Sequence, residues 1–464
     1  MKIGFRFFFL ILLLAQLSVL SDAYANGDPL LCPTFPFAVR GPEQLLHAQI
    51  AHIRAYRFIE GQFLEAKIQI DEVNSLGDYV LENGLPFTAH TGDGIFNGRD
   101  EIVFDSAEFG DDFDVKKIPQ KLQKSSSWLK KIAFKIANLH CRHHLLLVEH
   151  TQDQTPKAFK SLFDPANQTV ESDEFLYRFN RQSPMLLGEV YLKASDHQLS
   201  QVFAKSNFVM PLVSSHWYFP DMSFEAADFK SSIESWRNGP IRSIIAVGSK
   251  YKNFFSLINL HLFSELVFYR NRFQIPTKVE FIFDTDDFLK RGSGLGYAID
   301  FPKDKIWELK TNLTPLPQNS LDGQAVSDRL IPRRFFAHGS RPEGQFWLTV
   351  DVDERAQQMV PPPFIIYREM FRDPLYQKTL PWLAKNNGDL GFYLDIAGIK
   401  KGMYDFRLDL TLSRSNQEFK TSPFEVSPSV GPQQTQESFN TQIIVWETLL
   451  KEVMSKSNEK NKEL

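Results

Sequence analysis

Short runs in which apolar and polar residues alternate recur along almost the whole chain, with turn residues between them. That pattern constrains the fold more than any other feature of the sequence. Examples are "EAKIQID" (65–71), "DEIVFD" (100–105), "HLLLVEH" (144–150), "EFLYRFN" (174–180) and "GEVYLK" (188–193). Others are "IRSIIAVG" (241–248), "KVEFIFD" (278–284), "GYAIDF" (296–301), "FWLTVDV" (346–352) and "YDFRLDLTL" (404–412). A period of two puts successive side chains on opposite faces of a strand. Phe supplies 42 residues, against 13 Tyr and 7 Trp, and such rings suit half-buried pleated surfaces. The expected fold is all-β, mainly an antiparallel sandwich or supersandwich with a few helices. One segment, "WLKKIAFKIANL" (128–139), fits both a helical face (Trp128, Ile132, Ile136, Leu139) and a strand (Ile132, Phe134, Ile136). The strand is preferred, because "HLLLVEH" follows closely enough to close a hairpin.

The N-terminus reads as an export signal. Lys2 and Arg6 precede an apolar run from Phe7 to Leu20, and Ala23-Tyr24-Ala25 supplies a small-x-small cleavage site. The run is short for a bilayer span, so residues 1–25 are expected to be a cleaved signal peptide. That makes the protein exported, periplasmic or extracellular, with no transmembrane anchor after cleavage. An N-terminal β-rich domain is expected over 26–225, with "FEAADFKSSIESWRNGP" breaking the strand rhythm near 222–240. A C-terminal β-sandwich domain follows over 240–422, interrupted by a loop at 313–335. Residues 423–436 read as a linker. Residues 437–464 read as an amphipathic helix (Ile443, Trp446, Leu450, Val453 and Met454 on one face) with a charged tail.

The chain carries a formal charge of −4, and losing Lys2, Arg6 and Asp22 makes it −5. Nucleic acid needs a basic footprint, so it is not an expected partner. Cys32 and Cys141 are the two cysteines. In an oxidising compartment they either form one disulfide or remain as two buried thiols.

The stretch "TAHTGDGIFNGRDEIVFD" (88–105) has the outline of a calcium loop. Placing Asp93 at position 5 puts Gly94 at the sharp turn, Phe96 at the apolar position, Asn97 at position 9 and Asp100 at position 12. Positions 1 and 3 are then Ala89 and Thr91, so half the cage is missing. Ca2+ held by Asp93, Asn97 and Asp100 is one reading; a turn between two strands is the other. "DGIFNGRDEIVF", with "HHLLLVEHT", "EFLYRFNRQSP" and "NGPIRSIIAV", resembles a group of uncharacterised exported bacterial β-rich proteins that carry a D-G-x-x-x-G-x-D-E-[LIV]-V-F segment and a G-P-[VI]-R strand start. The resemblance covers about residues 60–300 and implies a shared β-rich architecture without a known activity. "GPIRSIIAV" also looks faintly like strand entries in galactose mutarotase-type supersandwich proteins.

Other chemistry is sparse. "LHCRHHLLLVEH" gathers His140, Cys141, His143, His144, Glu149 and His150, but alternation sends neighbouring ligands to opposite faces, which disfavours zinc. Gly292, Gly294 and Gly296 lead into a strand rather than a helix, unlike a dinucleotide loop. "DTDDF" (284–288) and "DVDER" (351–355) bring carboxylates to strand ends. "SSHWYFPDM" (214–222) and "RRFF" (333–336) combine aromatics with polar residues and could stack on sugars. The leading expectation is a non-enzymatic binding or structural envelope protein with a glycan or envelope protein as partner. The alternative is a carbohydrate-active enzyme, epimerase- or lyase-like, on a supersandwich scaffold. Its catalytic candidates are His216, Arg237, Arg242 and Asp284.

Overall fold

The computed structural model describes residues 36–41, 45–75, 77–84, 92–135, 142–151, 162–193, 198–217, 220–251, 261–281, 283–302, 308–311, 314–315, 334–342, 344–367, 372–374, 377, 388–414 and 442–448. The signal segment, Cys32, Cys141, most of the 313–335 loop and the 423–436 linker lie outside these residues. The fold is all-β. Its α-helices among the described residues are the short pieces Gln120–Lys124 and Glu354–Gln357. None is long and apolar enough to cross a membrane.

Two sheets build an N-terminal sandwich. One has the order Pro36–Arg40, Glu101–Asp105, Ile68–Asp71; the other runs Gln442–Thr448, Ser126–Lys135, Arg142–His150, Ile53–Ile59, Gln62–Ala66. Alternation turns Phe37, Ile70, Ile102 and Phe104 of the first sheet toward Ile53, Ala55, Ile132, Leu145 and Leu147 of the second, forming one core. Strand Ser126–Lys135 pairs antiparallel with Arg142–His150, so the ambiguous stretch is a strand of the expected hairpin.

The C-terminal helix expectation is corrected over 442–448; residues 437–441 and 449–464, with Leu450, Val453 and Met454, lie outside the described residues. Gln442–Thr448 is a strand, antiparallel to Ser126–Lys135. "QIIVWET" is rich in β-branched and aromatic residues, and a free sheet edge fixes its conformation where spacing alone suggested a helix. A bulge between Ile443 and Val445 disturbs the period of two.

The remaining chain builds a larger sandwich. A nine-stranded sheet places strands in the order Glu308–Thr311, Arg334–Arg341, Gly344–Val352, Gly402–Ser413, Arg272–Phe281, His261–Phe268, Ser243–Tyr251, Phe229–Asn238, Asn83–Gly84. One face is apolar: Ile245, Phe268, Phe273, Phe346, Leu348 and Leu410 belong to a core shared with two further sheets. Those are a five-stranded sheet within 163–203 and a six-stranded sheet including Gly294–Asp300 and Leu390–Asp395. Pairing is antiparallel apart from Thr314–Pro315 beside Phe364–Tyr367. The stretch 222–240, which seemed to break the strand rhythm, holds the strands Met222–Glu225 and Phe229–Asn238. A register shift between Ile233 and Ser235 moves Trp236 off the alternation begun by Phe229 and Ile233, which hid the strand.

At the centre of the larger core the Phe268 ring lies 4.9 Å from Tyr177, 5.3 Å from Phe273 and 5.8 Å from Phe179. Phe268→Ala removes a fully buried ring that contacts several others. A loss of about 3–5 kcal/mol is expected in denaturant unfolding. A loss under about 1 kcal/mol would mean that the cluster collapses to fill the space.

Candidate functional site

The two sequence segments behind the resemblance meet in space. Strand Glu101–Asp105 carries Glu101 from the "DGIFNGRDE" segment; Arg242 comes from "GPIR", just before Ser243–Tyr251. Arg242 is 1% exposed, and its guanidinium donates to Asp71 Oδ2 (2.7 Å), Glu101 Oε2 (2.8 Å) and the Tyr269 hydroxyl (2.7 Å). Its backbone N–H donates to Gln69 Oε1 at 2.9 Å, while Gln69 Nε2 donates to Asp71. Tyr79 donates its hydroxyl to Glu101, and Arg40 closes the other Glu101 oxygen at 3.0 Å. The glycine of "GPIR" has a steric reason. A Cβ on Gly239 would sit 2.1 Å from the Gln69 carboxamide.

Burial disfavours the charge on Arg242, but Tyr269, Tyr79, Asp71 and Glu101 more than offset it, and the pKa is raised well above the ordinary value. Burial likewise pushes Glu101 up, and Arg242 overrides it, holding the carboxyl below its usual range. Arg237 joins the same cluster, 3.4 Å from Asp71 Oδ1 and donating to the Ile70 carbonyl at 2.9 Å. Arg242 and Arg237 reach Asp71 and Glu101 across the seam between the N-terminal sandwich and the nine-stranded sheet. Apolar residues complete the seam, with Leu81 and Val103 packed among Ile241, Ile244 and Val267. The cluster is a closed clasp in which charges are buried and paired.

The loop ahead of Glu101 spends its oxygens on backbone amides. Asp100, fully buried, accepts from Val73 N (2.8 Å) and Asn97 N (2.7 Å). Asp93 Oδ1 accepts from Ile95 N, and Asn97 Oδ1 from Arg99 N, both at 2.9 Å. Gly94, at φ +70°, makes the turn and donates its N–H to Glu72. Among the described residues no group of three or more His, Cys, Asp or Glu side chains is placed to hold a metal ion. Asp100→Ala removes two hydrogen bonds to a buried carboxylate. About 2–4 kcal/mol of stability should be lost, equally in EDTA and in calcium. A midpoint raised by calcium in the parent and not in Asp100→Ala would contradict this account of the loop.

The other two catalytic candidates lie apart from the clasp, in a surface turn. His216 Nε2 is 2.7 Å from the Asp287 carbonyl. Asp284 accepts from Lys401 N at 2.7 Å, which with Lys400 holds its carboxyl below the ordinary range. The structure thus brings Arg237 and Arg242 together and leaves His216 and Asp284 near each other elsewhere. In the histidine-rich strand, His150 Nε2 is 3.0 Å from the Tyr56 hydroxyl, and His144 Nε2 is 3.6 Å from Asp112.

Sequence reasoning named only Phe336 (in "RRFF") and Asp351 (in "DVDER") of a second polar region, on the same face of the nine-stranded sheet as the clasp. Cross-strand register lines up His338, Trp347, Thr411 and Arg272 in one row. The next row is Phe336, Thr349, Asp409 and Gln274, and beside it Asp351 faces Arg407. Trp347 is 9% exposed, Thr349 1% and Asp409 2%. The Trp347 ring stacks on His338 (centroids 4.0 Å, 15° between planes) and tilts against Phe336 at 5.6 Å. Arg407 ion-pairs with Asp351 (2.6 Å) and Asp409 Oδ2 (3.1 Å), and Arg272 lies 3.7 Å from Asp409 Oδ1. In contrast to the clasp, polar valence is unspent here. The Trp347 indole N–H, Thr349 Oγ1 and Asp409 Oδ1 are buried without a hydrogen-bond partner. Arg272 Nε shares that condition, while Arg407 Nε lies 3.1 Å from Asp409 Oδ2. Buried polar atoms in folded proteins are nearly always paired, directly or through ordered water.

No protein-family model matches the chain, and no curated protein matches it. Among solved structures it is similar to an alpha-mannosidase from Enterococcus faecalis V583. That likeness has 10% identity and TM-score 0.31 and covers 81% of this chain and 45% of the other. It is also similar to a candidate aldose 1-epimerase from Escherichia coli K12, at 10% identity and TM-score 0.29, covering 53% and 98%. The Slr1438 protein from Synechocystis sp. PCC 6803 has 10% identity and TM-score 0.30, covering 57% and 100%. The chain spans less than half the length of the mannosidase. At these scores the likeness carries no argument about activity.

Proposed function

We propose that the chain is an exported, non-enzymatic binding or structural protein of the envelope, built as a β-sandwich. The observation that carries this reading is the state of Arg242, the central catalytic candidate. Its guanidinium is buried and hydrogen-bonded to Asp71, Glu101 and Tyr269. Donors already committed to protein acceptors support a role in cohesion between sheets rather than in catalysis. His216 Nε2 lies against the Asp287 carbonyl, and Asp284 accepts from Lys401 N and pairs with Lys400, away from the clasp.

The test is to incubate purified chain with neutral and acidic sugars. Anomeric exchange would be followed by NMR, and unsaturated products by absorbance. The reading expects neither. Turnover that disappears in His216→Ala or Asp284→Ala, with unfolding midpoints unchanged, would establish the carbohydrate-active alternative instead.

A further inference from the structure

We propose that residues 115–124, a basic cap on one sheet of the N-terminal sandwich, are a docking surface for an anionic phospholipid bilayer. This goes beyond the reading above, which names no partner surface.

The sequence supplies the charge. Residues 115–148 hold eight Lys and Arg and no Asp or Glu, in a chain whose net charge is −4. Four of those cations fall on one short segment, made of the 3₁₀ turn Val115–Lys117 and the helix Gln120–Lys124. Ile118 and Leu122 turn inward and join Phe58, Leu129, Leu146 and Val148 in one core cluster. That leaves Lys116, Lys117, Lys121 and Lys124 on the outer side, and all four are exposed. The segment is pinned to the sandwich. Gln123 Nε2 donates to the Ile118 carbonyl at 2.8 Å, and the Ser126 hydroxyl donates to the Leu122 carbonyl.

These charges are not spent within the fold. Among the described residues no carboxylate ion-pairs with the four ammonium groups. Lys131, on the adjoining strand, pairs with Asp112 at 2.6 Å. The other acids just before the segment are Asp111 and Asp114, and Asp114 accepts the Lys116 backbone N–H. Lys117 is partly engaged, its ammonium 5.2 Å from the centre of the Phe58 ring.

The chemistry of the patch selects the partner. Lysine is a compact, hydrated point charge without the fork that reads one phosphate or carboxylate at fixed geometry. Clustered lysines therefore respond to charge density. The segment carries no aromatic ring, so it lacks the stacking surface that sugars and bases use. A flat anionic bilayer asks only for several lysines side by side, each worth about a fivefold gain in binding.

The experiment is co-sedimentation with vesicles of phosphatidylcholine alone and of phosphatidylcholine mixed with an equal part of phosphatidylglycerol. The chain is expressed from Asn26, so that the apolar run from Phe7 to Leu20 does not itself enter the bilayer. Binding to the anionic vesicles alone is expected, weakening as salt is raised. In the triple variant Lys116→Gln, Lys121→Gln, Lys124→Gln it should fall about a hundredfold. The unfolding midpoint of that variant should not change, because all three side chains are exposed. A control variant, Lys230→Gln, Lys250→Gln, Lys290→Gln, removes the same charge from exposed lysines elsewhere and should bind as the parent does. Equal losses in both variants would show a response to net charge and overturn the site. Absence of binding to the anionic vesicles, or equal binding to neutral ones, would overturn the bilayer as partner. Capture by dextran sulfate that the first variant loses, without vesicle binding, would assign the patch to a soluble acidic polymer instead.

Discussion

Arg242→Met is expected to destabilise the protein by about 3–5 kcal/mol. The methionine can fill much of the space, but it leaves Asp71 and Glu101 buried without their shared cation. The cost of breaking a buried pair exceeds the net worth of the pair itself, because the carboxylates have lost their solvation and keep only the exposed Arg40 and the longer contact to Arg237. A variant that also neutralises the acids, Arg242→Met with Asp71→Leu and Glu101→Met, should recover much of the loss. The clasp joins residues 69–101 to strands of the nine-stranded sheet. Hydrogen exchange in Arg242→Met should therefore accelerate together in Ile68–Asp71, Glu101–Asp105 and Ser243–Tyr251. Loss of protection confined to one of these segments would mean that they do not open as a unit.

Stability should also fall as pH rises from about 5 to 8, through Glu265. This residue lies on strand His261–Phe268, is 8% exposed and accepts the Tyr79 N–H at 2.8 Å. Burial pushes its carboxyl from 4.5 up to about 8; Asp78 and Glu101 add to the shift, while the Tyr79 amide and Lys278 oppose it. The folded chain holds a proton that the unfolded chain releases. The stabilisation is therefore complete below 4.5 and is lost as pH climbs through about 8. Its size is on the order of 5 kcal/mol. Glu265→Gln keeps the shape and cannot titrate, so its stability should be nearly flat over the same window. Equal slopes in parent and variant would assign the pH dependence to another group. Glu101, whose carboxyl is lowered, acts in the opposite sense and costs stability only on acidification, so the optimum should lie near pH 5.

The sheet character of the chain was legible because most strands keep one face in a core and the period of two survives in sequence. It failed where geometry interrupts the period. The bulge at Ile233–Ser235 hid one strand, and Gln442–Thr448 looked helical because its partner, Ser126–Lys135, is more than three hundred residues earlier. The site was legible only in part. Arg237 and Arg242 were singled out, but Asp71 was not, and nothing in a linear motif pairs Glu101 with a residue 141 positions away. The polar sheet face was missed, apart from Phe336 and Asp351, for a different reason. Gln345, Trp347, Thr349 and Asp351 alternate with Phe346, Leu348, Val350 and Val352, which reads as an ordinary strand with one solvated side. Burial of that polar side, with atoms left unpaired, is a property of the fold and not of the spacing.

The central claim is that the segments behind the resemblance form a structural clasp rather than a reaction centre. A double-mutant cycle between Arg242→Met and Glu101→Gln, read by denaturant unfolding, tests it most directly. The account predicts a coupling of about 2–3 kcal/mol. A coupling below about 0.5 kcal/mol would mean that the two segments do not hold each other and that the clasp is not what fixes the N-terminal sandwich to the sheet.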